Sequence, residues 1–314
     1  MSIAFVFPGQ GSQSVGMMRA LAERYPLVEQ TFAEASAVLG YDLWAIVRDG
    51  PAETLNATEC TQPAMLTAAV ATYRLWCDQG GAPPRMMAGH SLGEFSALVA
   101  AGSLDFRTAV DLVRFRAQAM QAAVPQGEGA MAAILGLEDS DVEAVCSEAA
   151  QGDVVEAVNF NAPGQVVIAG RAAAVARAIE RASARGAKRA VLLPISVPAH
   201  SSLMYPAALR LGERLAGISI AYTGNTAVYG VDVKTHSRPD EIRDGLVKQL
   251  HTPVYWAATV RTMITAGATR IIECGPGKVL TSLNRRIDKN RDLAMSALED
   301  PKALDEALHA ASAA

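Results

Sequence analysis

The pentapeptide Gly89-His90-Ser91-Leu92-Gly93 constrains this 314-residue chain more than any other feature. Residues 85–88 ahead of it read as a strand, and a helical pattern covers about 92–101 behind it. In that setting G-x-S-x-G is a strand–turn–helix elbow. A serine on so sharp a bend sits in strained backbone, and the flanking glycines let strand and helix pack closely. Its hydroxyl projects from the sheet edge. The N–H of Leu92 faces the same space at a helix N-terminus, where a developing oxyanion is stabilised. The bland alternative is a Gly-rich turn in which Ser91 caps the helix, and Ser91-x-x-Glu94 fits a capping box.

An elbow needs a sheet around it. Residues 3–7 are a short apolar run ended by Pro8-Gly9, consistent with a buried first strand. Helical patterns fill about 15–48, broken by Pro26 and Gly40. A longer helix is expected over 61–79, with Thr61 as N-cap and Pro63 in its first turn. The stretches 131–137, 140–150, 154–160, 165–169, 172–184 and 189–194 then read strand–helix–strand–strand–helix–strand. That is the order of a ferredoxin-like unit. The fold class is therefore α/β: an α/β-hydrolase-like domain with a parallel sheet, made of 1–126 and 197–314, with a ferredoxin-like domain inserted at 127–196. Beyond the insert the pattern gives a helix at 201–216, a strand at 226–231, and helices at 239–250 and 254–266. A strand at 269–274, the turn Gly275-Pro276-Gly277 and a further helix follow, and the Ala-rich tail from about 303 is at most a terminal helix.

Apolar residues make up 50% of the chain and charged residues 19%, enough for a large core and incompatible with global disorder. Lys+Arg 28 against Asp+Glu 32 gives a net charge of −4, which disfavours wholesale binding to nucleic acid or anionic membrane. Cys60, Cys77, Cys146 and Cys274 lie far apart, with no CxxC and no histidine at zinc-ligand spacing. Reduced cysteines and no metal site are expected. Residues 1–18 and 190–209 lack charged side chains. The first has only a five-residue apolar run and no leading basic residue, and the second carries Pro194, Pro198, Pro206 and His200. Neither reads as an export signal or a membrane helix, so a soluble cytoplasmic protein is expected.

A serine nucleophile needs a base. His90 adjoins Ser91 and should point away from it, His309 lies in the tail, His236 in a polar loop and His251 at a helix end. His200 is better placed, after an apolar strand and before a helix. On the helix at 105–123, Arg107, Asp111, Arg114, Gln118 and Gln121 share a polar stripe. Ala109, Leu112, Arg116, Ala119 and Ala123 share another that is apolar except for Arg116. Arg116 thus points inward, where a charge demands a partner. It is a structural pair with a core carboxylate, an arginine reaching back to the edge, or a clamp for a substrate carboxylate. Gly9-Gln10-Gly11-Ser12 could supply backbone N–H groups or be a flexible turn. The basic groups Arg181, Arg185, Lys188, Arg189 and Arg285, Arg286, Lys289, Arg291 read as solvated faces, either of which could meet an acidic partner.

Several further motifs join these in order: Phe5-Val6-Phe7-Pro8-Gly9-Gln10-Gly11-Ser12-Gln13, Thr61-Gln62-Pro63-Ala64, Val158-Asn159-Phe160-Asn161, Pro163-Gly164-Gln165, Val197-Pro198-Ala199-His200 and Gly275-Pro276-Gly277-Lys278-Val279-Leu280. Together with the elbow they resemble the malonyl-CoA:acyl carrier protein transacylase family of bacterial fatty acid synthesis, from about residue 3 to 287. The resemblance implies Ser91 as nucleophile and His200 as base, oriented by a backbone or side-chain carbonyl in the Gln249 region instead of an Asp. It implies oxyanion donors at the N–H groups of Gln10 and Leu92, and Arg116 binding the malonyl carboxylate. It implies malonyl-CoA and a transient, acidic acyl carrier protein as partners, no resident cofactor, and a monomer. Phe95, Ala162, Thr252 and Tyr229-Gly230 depart from the family pattern, and the changes at 229–230 and 252 fall where pocket lining is expected. The competing readings are an α/β-hydrolase thioesterase or esterase, a non-catalytic carrier-docking module, and a related transacylase serving a polyketide or malonate pathway.

Overall fold

Five consecutive buried residues form β1 (Ile3–Phe7), as a strand covered on both faces requires. The computed structural model describes residues 2–195, 197–224, 227–230 and 232–312. From β1 the chain runs through α1 (Arg19–Arg24), α2 (Leu27–Leu39), α3 (Leu43–Asp49) and α4 (Ala52–Asn56) into the long α5 (Thr58–Asp78). It continues through β2 (Met86–Gly89), α6 (Gly93–Ala100) and α7 (Phe106–Ala123). Next come β3 (Gly129–Leu135), α8 (Asp139–Ala150), β4 (Val155–Ala162), β5 (Gln165–Arg171), α9 (Ala172–Ala184) and β6 (Arg189–Leu192). The return passes through α10 (Tyr205–Ala216), β7 (Ala227–Tyr229), α11 (Pro239–Gln249), α12 (Trp256–Thr265), β8 (Arg270–Glu273), α13 (Val279–Ile287), β9 (Ala294–Ala297) and α14 (Pro301–Ser312).

Two sheets result. The larger has the order β7-β2-β1-β8-β9 and every pairing in it is parallel. The smaller has the order β4-β5-β3-β6, all antiparallel, the arrangement expected of a ferredoxin-like unit. Its own core joins Ile134, Phe160 and Ile168 to Val142 and Val145 of α8 and Val175 of α9. The small sheet is tied to the segment between α11 and α12: Val254 N–H donates to Val158 O and Phe160 N–H to Val254 O, at 2.8 and 2.9 Å. Glu156 of β4 also accepts from the Ser202 N–H and hydroxyl, just past His200. No helix among the described residues is long and apolar enough to cross a membrane.

Four sequence expectations shift. The helix α5 begins at Thr58, not Thr61, and Pro63 lies inside it. The Thr61 hydroxyl donates to Leu55 O and Ala57 O, bracing the turn ahead of the proline, so Thr61 is no N-cap. β9 has no counterpart in the sequence reading. The strand expected at 226–231 is found at Ala227–Tyr229; Thr226 and Val231 lie outside the described residues, as does Ser196 at the expected edge of the insert. The tail helix α14 is packed, with Leu304 and Ala307 buried and Asp305 paired to Arg24 at 2.7 Å.

Candidate active site

Between β2 and α6, only His90, Ser91 and Leu92 make the turn. Ser91 takes φ +53°, a left-handed backbone that costs a non-glycine residue free energy. A Cβ on Gly89 would sit 1.8 Å from the Gly93 carbonyl carbon, and one on Gly93 would sit 2.0 Å from Phe7 O. Glycine at both positions is what allows strand, helix and β1 to touch. The capping-box alternative fails here: the Ser91 hydroxyl is 2.7 Å from His200 Nε2, and Glu94 is buried with its carboxylate on Gln249.

His200 is also buried and also left-handed, at φ +66°. Its N–H donates to Leu250 O at 2.9 Å, and its Nδ1 lies 2.6 Å from the main-chain oxygen of Gln249. A carbonyl only accepts, so Nδ1 carries the proton and Nε2 offers its lone pair to the Ser91 hydroxyl. Burial, reinforced by the nearby Arg116 charge, pushes the imidazole down to about 3, so it waits in the neutral form. Among the described residues no acid takes the third place; a backbone carbonyl does.

Arg116 leaves the apolar stripe of α7 and is 1% exposed. Its Nη1 donates to Gln62 Oε1 at 2.8 Å, and its Nη2 to Gln249 Oε1 at 2.9 Å and to Ser91 Oγ at 3.3 Å. Its Nε meets no acceptor among the described residues. The guanidinium lies 5.6 Å from the Phe95 ring centre. Thus neither a core carboxylate nor the solvent edge satisfies it. Burial pushes its affinity for protons down to about 10, with Glu94 acting the other way. Glu94 itself is pushed up to about 7 by burial, against the Gln249 hydrogen bond.

On the other side of Arg116, Gln62 Nε2 donates to Thr58 Oγ1 at 3.2 Å, and Thr58 Oγ1 donates to Gln10 Oε1 at 3.1 Å. The loop carrying Gln10 rides on the elbow, since a Cβ on Gly9 would lie 2.5 Å from His90 O. Among the described residues, the N–H groups of Gln10 and Leu92 donate to no other group of the chain. A cleft of about 660 Å³ opens beside Gln10, lined by Thr58, Gln126, Pro194 and Val197.

The structure therefore gathers Ser91, His200, Arg116 and Gln249 at one point, with Leu92 and Gln10 beside it. Sequence reasoning gave no role to Gln62 or Thr58 and offered Glu94 only as a capping-box residue; the usable signal was a polar side chain in a helix that is otherwise buried, as for Gln62 in α5 and Glu94 in α6. His90 points away, 2.8 Å from Asn161 Oδ1. Arg181 and Arg185 are taken up by Glu148, and Arg286 by Gln165 and Pro163 O. Thr252 lines a separate cleft with Asp232, His236 and Lys248. Gly230 faces Glu94, not Ser91. The side chain of Tyr229 lies outside those described.

The profile of the acyl transferase domain matches residues 4–297. The chain belongs to the acyl transferase family. Within that family it is 57% identical over 305 residues to the malonyl CoA-acyl carrier protein transacylase of Escherichia coli (strain K12), covering 97% of this chain and 98% of that protein. It is 42% identical over 307 residues to the transacylase of the same name from Bacillus subtilis (strain 168), covering 98% and 96%. Among solved structures, a Vibrio cholerae acyl carrier protein S-malonyltransferase superposes with a TM-score of 0.93 at 53% identity, covering 98% of this chain and 99% of that one. A malonyl-transacylase in complex with its type II PKS acyl-carrier protein gives 0.96 at 51% identity, covering 99% and 100%.

Proposed function

We propose that this chain transfers the malonyl group of malonyl-CoA to the phosphopantetheine thiol of acyl carrier protein, supplying fatty acid elongation. The observation that carries the reading is the position of the Ser91 hydroxyl, 2.7 Å from a neutral imidazole and 3.3 Å from a buried guanidinium. Ser91 Oγ attacks the thioester carbonyl while His200 Nε2 takes its proton. The carbonyl oxygen becomes an oxyanion facing the N–H groups of Leu92 and Gln10. The carbon–sulfur bond breaks, CoA leaves with the proton from His200, and a malonyl-serine ester remains. The carrier thiol then gives its proton to His200 and attacks that ester, and Ser91 recovers the proton as it departs.

Arg116 sets the preference for an acid. A malonyl carboxylate meets a desolvated cation whose own partners are neutral, whereas an acetyl group leaves that cation without an anion. The same carboxylate offsets the Arg116 charge that depresses His200, so binding the right substrate raises the basicity of the group that must act next. A thioesterase of the α/β-hydrolase kind would place a carboxylate on Nδ1, where this chain has a carbonyl.

The reading includes domain limits at 126/127 and 196/197 and a cytoplasmic enzyme. It includes a monomer, and no resident cofactor, because Ser91, His200 and Arg116 supply attack, proton movement and charge. The test gives labelled malonyl-CoA or acetyl-CoA with holo acyl carrier protein to wild type and Arg116→Ala. Label passing to the carrier in preference to water, with malonyl transfer falling about a hundredfold and acetyl transfer retained in the variant, supports it. Label released mainly as free acid, or an unchanged malonyl preference in Arg116→Ala, contradicts it.

A further inference from the structure

Among the described residues Arg116 is a buried cation with no carboxylate in contact, yet a buried carboxylate stands one residue away. Gln249 spans the gap. Its Nε2 lies 2.6 Å from Glu94 Oε2 and 3.0 Å from the main-chain oxygen of Ser91, and its Oε1 lies 2.9 Å from Arg116 Nη2. Both groups facing Nε2 here accept, and the guanidinium only donates, so the amide has one orientation that satisfies every contact. Glu94 is 4% exposed and Gln249 fully buried. The Glu94 pocket is tight, since a Cβ at Gly230 would come within 3.3 Å of Glu94 Oε1 and of Asp232 Oδ1.

From this geometry we propose that Glu94 is a positioning residue, which locks the Gln249 amide with its oxygen toward Arg116 and so keeps the guanidinium in place yet unclaimed by any acid. A carboxylate in direct contact with Arg116 would compete with an incoming acyl carboxylate. An amide that was free to turn would put its own N–H groups against the cation. Placing the acid beyond an amide avoids both, and Gln249 offers its main-chain oxygen to His200 from the same residue. Glu94 therefore acts through Gln249 and touches no substrate. The inference rests on the malonyl-transfer reading above.

Wild type, Glu94→Ala and Glu94→Gln are compared for kcat and KM with malonyl-CoA and acetyl-CoA, with folding checked by thermal melting. Glu94→Ala is expected to lower the malonyl-to-acetyl preference at least about tenfold, the order that loss of one charge-assisted hydrogen bond gives. Most of that loss appears in malonyl KM. Glu94→Gln, which can still accept from Gln249, rescues most of it. A folded Glu94→Ala with the wild-type preference overturns the proposal, and so does a Glu94→Gln as impaired as the alanine variant. Should Glu94→Ala not fold, the exchange Glu94→Gln with Gln249→Glu decides. It places the acid directly on Arg116 and is expected to raise malonyl KM at least about tenfold; unchanged malonyl KM overturns the proposal. Wild type that passes malonyl to the carrier beside variants that behave alike sinks this inference alone, whereas wild type that passes none sinks the reading beneath it.

Discussion

Glu94 and His200 are buried groups whose protonation is displaced in opposite senses. Glu94 is pushed up from 4.5 to about 7. Between those values the folded chain keeps a proton that the unfolded chain has released, so stability falls as pH rises through the window, by about 3 kcal/mol in full. His200 is pushed down from 6.5 to about 3. There the unfolded chain holds the extra proton, and stability falls as pH drops through that range. Glu94→Gln removes only the first effect. Urea unfolding of both proteins at pH about 4.5 and about 8 is expected to show the variant gaining on wild type at the higher pH, in line with the linkage slope. A difference that does not change with pH would contradict the burial assigned to Glu94. Arg116 was legible at this scale because a lone cation on an apolar helical stripe is conspicuous in any sequence. Glu94 and Gln62 were not. Glu94 looked like a helix cap, and their partners lie 155 and 54 positions away, so only the folded chain brings the amides to the charges.

Elements whose own pattern declares them were read correctly, while those set by their neighbours were missed. The strand–helix alternation of the insert follows from apolar periodicity within each segment. β9, Ala294-Met295-Ser296-Ala297, is half-buried throughout, has no alternation, and exists because β8 offers it a parallel edge. The start of α5 was misplaced because a proline after the first turn is unusual, and the compensating Thr61 bonds run backward to Leu55 and Ala57. Glu273, at the end of β8, is wholly buried. Its two carboxylate oxygens accept from Leu280 N–H at 3.0 Å and Thr281 N–H at 2.7 Å, so a strand side chain satisfies the first turn of α13. Glu273→Ala is expected to cost about 1–3 kcal/mol in chemical unfolding, as loss of buried acceptors does. A cost near zero would mean that other groups or water serve those amides equally well.

At the scale of the whole molecule, the site is assembled by the parallel sheet and held against the small one. Ser91 comes from the elbow after β2 and Arg116 from α7, while the segment bearing His200 follows the insert and is tied to it by Glu156. The type of fold could be read from element order, because a parallel sheet with a βαββαβ insert leaves few alternatives. The convergence of residues 91, 116 and 200 could not, because it depends on how the chain re-enters the large sheet. The central claim is that this convergence makes Ser91 a carrier of malonyl groups. Intact-mass analysis of wild type and Ser91→Ala after mixing with malonyl-CoA measures it directly. The account predicts one added malonyl group on wild type, mapped by peptide fragmentation to Ser91, and none on the variant. An unmodified wild type, or malonyl retained by Ser91→Ala, would contradict it.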